Sequence, residues 1–290
     1  MHYIFLDLEW NSAYCKRKEK FVNEIIEIGA VKLNTDLQVC STFSQTVKSQ
    51  LTKRLASRFK NLTNITNTEM RQGIPFKEAL HAFWDWCGED FVLLTWSNSD
   101  IYALIENCRL FADCGLPNIT RYMDFQKYVQ NELRLAGKEI NNQISLLNAA
   151  LEFHLNTENF AFHRALDDSM VCAEILKLCY NAERFAASII DTKSSDYFDR
   201  LTYKSYIITD IKSPLIDGKE LHFRCKSCGN YAKRISPWVF KNQYFYANFH
   251  CKSCGLYFTG KITFKKHYDH VSVKRYSRII LKSGQKSNET

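Results

Sequence analysis

The opening segment of the chain, Tyr3 to Trp10, restricts the possible fold more than any other stretch. Its apolar run Ile4-Phe5-Leu6 is typical of a strand that is covered on both faces of a sheet. Asp7 and Glu9 then stand where more aliphatic residues would be expected, and alternation along a strand points both carboxylates to the same side. Like charges on a half-buried strand are costly without a cation between them, so the pair indicates a divalent-ion site. The alternative is a strand end that reaches solvent.

Patterns in residues 1–185 predict an α/β domain. After a polar loop over 11–20, strands are expected over 25–33, 39–47, 91–96 and 119–123. Helical signals begin near Leu51 and at Pro75, and further helices are expected over 100–111, 124–135, 145–154 and 164–184. Three strands followed by alternating helices and strands predict helical layers on a mixed sheet.

Two more acids lie on those faces of predicted helices that are expected to point into the protein core. Asp100 begins a helix directly after a buried strand, where a carboxylate can simply complement the helix dipole, but helical spacing puts it on the inward face. Asp168 shares the apolar stripe of the last helix with Cys172 and therefore needs a partner. His163 lies five residues earlier, where a histidine is often a core or capping residue. Beside a buried aspartate it can also accept a proton.

These acids and the histidine resemble, in order and spacing, the three motifs of the DEDDh exonucleases, a family that includes RNase T and the proofreading exonuclease of DNA polymerase III. The motif residues are Asp7-x-Glu9, Asp100 after a Trp-Ser-Asn-Ser turn, and His163 with Asp168. The segment Asn23–Val31 resembles the branch of histone-mRNA and RNA-interference 3′ exonucleases and KapD-type proteins. One departure is Asn64, where relatives often carry Gly; Asn tolerates the left-handed backbone better than other non-glycine residues.

The resemblance implies an RNase H-like three-layer fold and 3′–5′ hydrolysis of single-stranded nucleic acid to nucleoside 5′-monophosphates, with RNA favoured over DNA. It implies two Mg²⁺ or Mn²⁺ ions held by the four acids, with His163 as the general base. Substrate contacts are implied at Leu8, Trp10, Leu62 and Ile65, although Trp10 could equally be a core residue. Glu27 is expected to be a structural hydrogen-bonding residue.

Two other functions stay open at this point. The chain could be a regulatory nucleic-acid-binding protein with an idle nuclease fold, although all five motif residues are present. It could also be a proofreading exonuclease that acts on DNA within a polymerase complex. The sequence does not indicate an oligomeric state.

The C-terminal part of the chain carries two Cys-Lys-Ser-Cys-Gly motifs, with 22 residues between Cys228 and Cys251. Four thiolates, Cys225, Cys228, Cys251 and Cys254, predict one structural Zn²⁺ in a small β-rich zinc ribbon; a redox role for the pairs is the alternative. The glycines that follow each pair, Gly229 and Gly255, suit tight turns. The predicted domains are the exonuclease domain 1–185, a linker 186–204, the ribbon 205–282 and a disordered tail 283–290.

Charge is distributed unevenly between these parts. Residues 1–200 hold 22 Lys and Arg against 26 Asp and Glu, whereas residues 201–290 hold 17 against 5. Tyr, Phe and Trp side chains are interleaved with the C-terminal cations, a composition typical of proteins that bind a single strand. About half of these aromatic residues are expected to form the small domain's own core. We therefore expect the ribbon to hold the nucleic-acid substrate.

Cysteine usage and hydropathy predict a cytoplasmic protein. The 290 residues include 11 Cys and begin without a signal-peptide pattern, which suggests a reducing compartment, and no stretch approaches the length of a membrane span. Buried thiols are predicted at Cys40, Cys87, Cys108, Cys114, Cys172 and Cys179. The surroundings of Cys15 are less clearly apolar; core packing is expected for it, and a reactive thiol is the alternative.

Overall fold

The computed structural model describes residues 1–112, 119–140, 142–158, 160–193 and 196–280. The chain divides into two compact units, Met1–Asp196 and Tyr197–Thr290. This boundary falls inside the segment 186–204 that was expected to be a linker. None of the helices in the described ranges has the length and apolar character that a bilayer crossing requires.

A mixed sheet forms the centre of the first unit. Its strands are β1 (His2–Cys15), β2 (Lys20–Leu33), β3 (Val39–Thr46), β4 (Phe91–Thr95), β5 (Arg121–Asp124) and β6 (Ile190–Asp191). Across the described residues their order is β3-β2-β1-β4-β5-β6. Strand β1 runs antiparallel to β2 and parallel to β4, so the predicted mixed sheet is confirmed.

Helices cover both faces of this sheet. They are α1 (Ser57–Thr63), α2 (Asn67–Gln72), α3 (Phe76–Cys87), α4 (Asn98–Asn107), α5 (Phe125–Leu135), α6 (Leu146–Glu152), α7 (Ala165–Cys179) and α8 (Ala182–Ser188). On one face Phe5 meets Phe125 of α5 edge-on, with ring centroids 4.8 Å apart. On the other, Phe43 of β3 packs against Phe83 of α3 at 5.5 Å. The predicted three-layer α/β fold is confirmed.

The loop expected over 11–20 is instead part of a long hairpin. β1 and β2 remain paired to the end, where Cys15 faces Lys20 across the hairpin. Ala13, Cys15 and Val22 are buried on one side. The sequence conceals this alternation because Tyr14 and Phe21 are aromatic although they are exposed, and because the turn between the strands is a run of charged residues.

The long helix expected over 164–184 is two helices. Helix α7 ends at Cys179, and Asn181 caps α8 by accepting a hydrogen bond from the Arg184 backbone at 3.0 Å. The Tyr128 hydroxyl fixes the break, because it donates to the Cys179 carbonyl at 2.9 Å and accepts from the Asn181 backbone at 3.0 Å. A tertiary contact of this kind cannot be read from helical periodicity.

The expectation for the free thiols is partly wrong. Cys87, Cys108 and Cys172 are buried, as is Cys15. Cys179 is partly exposed, and Cys40 is exposed because it lies on β3, an edge strand with an alternating exposure pattern. Cys114 lies outside the described residues.

The second unit is a small antiparallel β structure. Its elements are α9 (Tyr197–Thr202), β7 (Tyr206–Ile207), β8 (Lys233–Arg234), β9 (Val239–Lys241), β10 (Tyr244–His250), β11 (Tyr257–Lys266) and β12 (Val271–Ile279). In the described part of the chain, Phe245, Phe249, Phe258 and Phe264 belong to its core. The expected linker therefore contains β6 and α9, and the expected tail 283–290 lies outside the described residues.

Candidate active site

The first two acids of the site lie on β1, opposite β2. Asp7 pairs with Gly29, and Glu9 pairs with Glu27. The register shifts directly after Glu9, so that Trp10 faces Ile25. The ladder is thus irregular next to the two carboxylates, as is common beside functional sites.

Helix α7 brings the last acid to this strand pair because it packs on a glycine. A β-carbon at Gly29 would lie 2.1 Å from the carbonyl carbon of Ala165. Ser169 closes the contact, since its hydroxyl donates a hydrogen bond to the Gly29 carbonyl at 3.1 Å. Asp168 precedes that serine and is thereby placed over the face of β1 that carries Asp7.

The first turn of α4 supplies Asp100, which is 4% exposed. Ser97 caps this helix through a hydrogen bond that its hydroxyl accepts from the Ser99 backbone at 3.1 Å. The backbone N–H of Leu8 donates to Asp100 Oδ1 at 3.2 Å. The peptide between Asp7 and Leu8 is thus tied directly to the third acid.

His163 lies next to Asp168 and completes the set of site residues. His163 is exposed, and its backbone is left-handed with φ of 67°. Its N–H donates to Asp168 Oδ2 at 3.1 Å, which holds this unusual turn in place. Ligand atoms of Glu9, His163 and Asp168 all lie within 4.8 Å of one another.

Burial and mutual repulsion perturb all four carboxylates. The pKa of Asp7 is raised well above its usual range, by burial first and then by the charges of Asp100 and Asp168. Burial, assisted by Asp168, raises the pKa of Glu9 to about 9. Burial also raises the pKa of Asp100 to about 7 and that of Asp168 to about 6, although backbone hydrogen bonds oppose both shifts.

This donor set fits hard divalent cations. Four carboxylates converge, and Asp168 Oδ1 is buried without a hydrogen-bond partner among the described residues. An unpaired buried carboxylate oxygen is unfavourable in a folded protein unless a cation or proton satisfies it. Carboxylate oxygens are the ligands that Mg²⁺ and Mn²⁺ prefer.

A partly buried ion pair that the sequence only partly indicated anchors this site. Glu27 is 2% exposed, and its carboxylate accepts hydrogen bonds from Arg164 Nε at 3.1 Å and Nη2 at 2.6 Å. It also accepts from the Ala165 backbone at 3.0 Å, at the start of α7. Glu27 therefore acts structurally, as expected. Glu27 was itself the sequence signal for a partner such as Arg164, because a carboxylate inside the apolar run of β2 requires a cation.

The four expected substrate positions differ in exposure. Leu8 and Ile65 are 3% and 2% exposed, and Ile65 packs in a small core cluster. Trp10 is partly exposed and Leu62 is 42% exposed. Asn64, which lies between Leu62 and Ile65, has φ of 57°, so the left-handed turn expected for it is present.

The second unit holds the four predicted zinc ligands as one cluster. The Sγ atoms of Cys225 and Cys254 are 3.6 Å apart, and those of Cys228 and Cys251 are 3.4 Å apart. All four sulfurs lie within 4.8 Å of one another. A tetrahedral zinc site with Zn–S bonds of about 2.3 Å needs sulfurs about 3.8 Å apart, so the set suits this ion.

Matching turns build the two halves of this cluster. The N–H of Gly229 donates to the Cys225 carbonyl at 2.9 Å, and that of Gly255 donates to the Cys251 carbonyl at 2.8 Å. Both glycines are left-handed, with φ of 76° and 73°. This conformation explains why glycine follows each Cys-x2-Cys pair.

The sequence model of the exonuclease (RNase T) family matches residues 4–176. The chain belongs to this family. The matched range covers β1 through most of α7 and includes the acids and the histidine described above. The first unit therefore carries an exonuclease-family domain with an RNase H-like fold.

Individual relatives support the same family and fold. DNA polymerase III PolC-type of Clostridium perfringens is 26% identical over 195 residues, which cover 66% of this chain but only 12% of that protein. The nuclease domain of 3′hExo, described as a DEDDh family member bound to rAMP, is 25% identical with a TM-score of 0.53. That match covers 60% of this chain and 88% of the domain. Cell-death related nuclease 4 is 18% identical with a TM-score of 0.54, covering 75% and 72% of the two chains, which shows a shared fold.

Proposed function

We propose that the first unit removes nucleotides from the 3′ end of single-stranded nucleic acid in a reaction that depends on two divalent cations. The products are nucleoside 5′-monophosphates. One observation carries this proposal: Asp7, Glu9, Asp100 and Asp168 come from three separate elements of an exonuclease-family fold and converge beside His163. No structural role explains four repelling acids at one place.

Asp7, Glu9 and Asp168 would hold one Mg²⁺ or Mn²⁺, and Asp7 with Asp100 would hold the second. When bound, such ions neutralise the substrate phosphate and lower the pKa of an attacking water. We assign a structural Zn²⁺ to the four cysteines of the second unit. These assignments follow from donor chemistry, because oxygen ligands suit the first pair of ions and thiolates suit zinc.

The chain's own groups supply the acid–base chemistry and the geometry. The neutral imidazole of His163, at the exposed edge of the site, accepts the proton of the attacking water. The hydrogen bond from its backbone to Asp168 fixes the position of this base relative to the carboxylates. The peptide N–H of Leu8 is occupied by Asp100, so that contact orients the acid.

We propose RNA as the preferred substrate, with Trp10 and Leu62 at the terminal nucleotide, since both side chains reach solvent. Leu8 and Ile65 are buried, so they would contribute by packing beneath the surface that contacts the nucleotide. The rAMP bound to the similar 3′hExo nuclease domain favours RNA. The similarity to a PolC-type DNA polymerase favours DNA proofreading as the second candidate.

Matched RNA and DNA single strands of the same sequence, labelled at the 5′ end, test the proposal. We expect a ladder of products shortened from the 3′ end, release of 5′-monophosphates, and no cleavage when the 3′ end carries a phosphate. Activity should require Mg²⁺ or Mn²⁺. Faster cleavage of mismatched DNA termini than of RNA would instead support proofreading.

Two variants separate the acidic site from a general loss of structure. Asp7→Asn should abolish nucleotide release while leaving zinc content and melting temperature unchanged or raised. Glu174→Gln is the control, because Glu174 lies on α7 but pairs with Lys177 at 2.6 Å on the outer side. If Asp7→Asn digests the labelled strand as fast as the wild type, the proposed site is wrong and the idle-nuclease alternative gains support.

A further inference from the structure

The two faces of the sheet in the second unit have different compositions. In β10 the alternating residues Phe245, Ala247 and Phe249 are buried in the core. The positions between them point outward, and they include Tyr244 and Tyr246. The structure thus separates the aromatic residues of this unit into a core set and an outward set, which composition alone could not do.

Neighbouring strands continue the outward set into one surface. Tyr246 faces Lys261 of β11, which in turn faces Tyr276 of β12. Two residues along the strands, and so on the same face, Thr263 faces Lys274. We call the surface formed by Tyr244, Tyr246, Lys261, Lys274 and Tyr276 the tyrosine–lysine face. Tyr276 is 51% exposed, so its ring is open to solvent.

The cation and the rings of this face are close together. Lys261 Nζ lies 3.7 Å from the ring centroid of Tyr244, 5.8 Å from that of Tyr246 and 5.6 Å from that of Tyr276. The ring centroids of Tyr244 and Tyr276 are 6.1 Å apart, and those of Tyr244 and Tyr246 are 6.5 Å apart. A chain of bases with a phosphate near each one would meet both rings and charge here.

A cavity extends the face beyond Tyr244. Its volume is about 370 Å³, and its lining includes Tyr244, Thr263, Lys265 and Lys274. Pockets that hold small ligands typically begin at about 300 Å³. The cavity therefore has room for a nucleotide-sized group beside two ammonium groups.

The charge of the surrounding sequence favours a polyanion. Residues 233–280 contain ten Lys and Arg and a single acid, Asp269. That acid is already engaged, since it pairs with Arg200 at 2.6 Å and with His270 at 2.7 Å. None of the strands β10, β11 and β12 carries an Asp or Glu that would oppose a phosphate backbone.

We propose that the tyrosine–lysine face binds single-stranded nucleic acid, with bases stacked on the tyrosine rings and phosphates beside Lys261, Lys265 and Lys274. Aromatic faces next to cations are the combination that binds single strands without reading their sequence. This proposal rests on the proposed function in one respect, because it takes nucleic acid to be the substrate of the chain. It assigns the holding of that substrate to a surface separate from the acidic site.

Equilibrium binding in the full-length Asp7→Asn protein tests the face without turnover. A fluorescent oligo(U) of about 20 nucleotides would be titrated, with fluorescence anisotropy as the readout. Replacing Tyr244 and Tyr276 together by Ala should weaken binding by about tenfold or more, whereas replacing both by Phe should retain it. Tyr231→Ala is the control, because Tyr231 is 62% exposed and stacks with Arg224 at 4.2 Å outside the face.

The cations provide a second, independent readout. Replacing the exposed Lys265 and Lys274 together by Ala should reduce the slope of log binding constant against log salt concentration by about 1.4, at about 0.7 for each phosphate contact. Wild-type affinity and salt slope in both sets of variants, with zinc retained, would overturn the proposal. Capture of a protein in place of the oligonucleotide would also count against it.

Hydrolysis of a dinucleotide by the otherwise wild-type chain separates this proposal from the proposed function. Dinucleotide turnover that persists in the Tyr244→Ala/Tyr276→Ala variant, together with weaker binding of the long strand, supports both. Turnover with unaltered long-strand binding refutes the face alone. Absence of turnover in the wild type, with tyrosine-dependent binding, refutes the exonuclease proposal alone.

Discussion

The backbone of Ala165 lies so close to Gly29 that a β-carbon on the glycine would be 2.1 Å from the Ala165 carbonyl carbon. This contact fixes the separation between β2 and the start of α7. Since Asp7 faces Gly29 across the hairpin, the same contact fixes where Asp168 stands relative to Asp7. The arrangement of the four acids therefore depends on a residue that carries no side chain.

We expect Gly29→Ala to displace α7 and to abolish nuclease activity. The clash involves backbone atoms, which cannot rotate away as a side chain can, so the destabilisation should be at least about 3 kcal/mol. Urea denaturation and nucleotide release measure the two effects. Gly218→Ala is the control, because a β-carbon there meets no atom within 4 Å and should change stability by less than about 0.5 kcal/mol.

Glu27→Gln should lower both stability and turnover. The change leaves Arg164 without its bidentate partner and weakens the hydrogen bond at the start of α7. Because Arg164 is one-third exposed, water compensates part of the loss, and we expect about 1–3 kcal/mol. Glu69→Gln, whose carboxylate approaches Arg164 only at 4.0 Å, should stay within about 0.5 kcal/mol in the same thermal melts. Equal effects of the two variants would contradict the anchoring role of Glu27.

The chain without added divalent ions should be more stable in mild acid than in alkali. Folding raises the pKa of Glu9 from 4.5 to about 9 and that of Asp100 from 3.8 to about 7. At a pH between the unfolded-state and folded-state pKa values, the folded chain keeps protons that the unfolded chain has released. The free energy of unfolding therefore falls as the pH rises towards the folded-state pKa values. Melting temperatures at about pH 5.5 and about pH 8.5 measure the difference.

Mg²⁺ or Mn²⁺ should reverse this trend, because binding requires the ionised carboxylates. The gain in melting temperature on adding either ion should be larger at the higher pH, and Asp7→Asn should reduce it. Glu9→Gln should flatten the alkaline end of the pH profile. A gain that is the same at both pH values would show that the ions do not bind these acids.

Cys228→Ser should release the zinc and melt the second unit, since structural zinc contributes much of the folding energy of small domains. Elemental analysis should find one zinc for each wild-type chain and none for the variant. Cys40→Ser is the control, because Cys40 is exposed in the first unit and has no part in the cluster. Dinucleotide hydrolysis should persist in both variants if the two units function separately.

The sequence predicted those features that depend on local pattern. The apolar stripe of α7 identified Asp168, the alternation of β1 paired Asp7 with Glu9, and the Asn64 turn followed from its backbone preference. Contacts between residues that are distant in sequence could not be predicted, and the hydrogen bonds of the Tyr128 hydroxyl at the end of α7 are an example. The closeness of Gly29 to α7 was equally hidden, because a glycine in a strand can mark a bulge, a bend or a close approach.

The left-handed backbone of His163 makes this position suitable for chemical rescue. Glycine adopts positive φ without strain, whereas alanine there costs about 1–2 kcal/mol, so His163→Gly should fold better than His163→Ala. Because the imidazole is exposed, its removal leaves a notch that opens to solvent, and imidazole added to the buffer can enter it. Restored turnover in the glycine variant alone would mean that residue 163 has two separable roles. The chain supplies the left-handed backbone, and a free imidazole from the buffer can supply the proton acceptor.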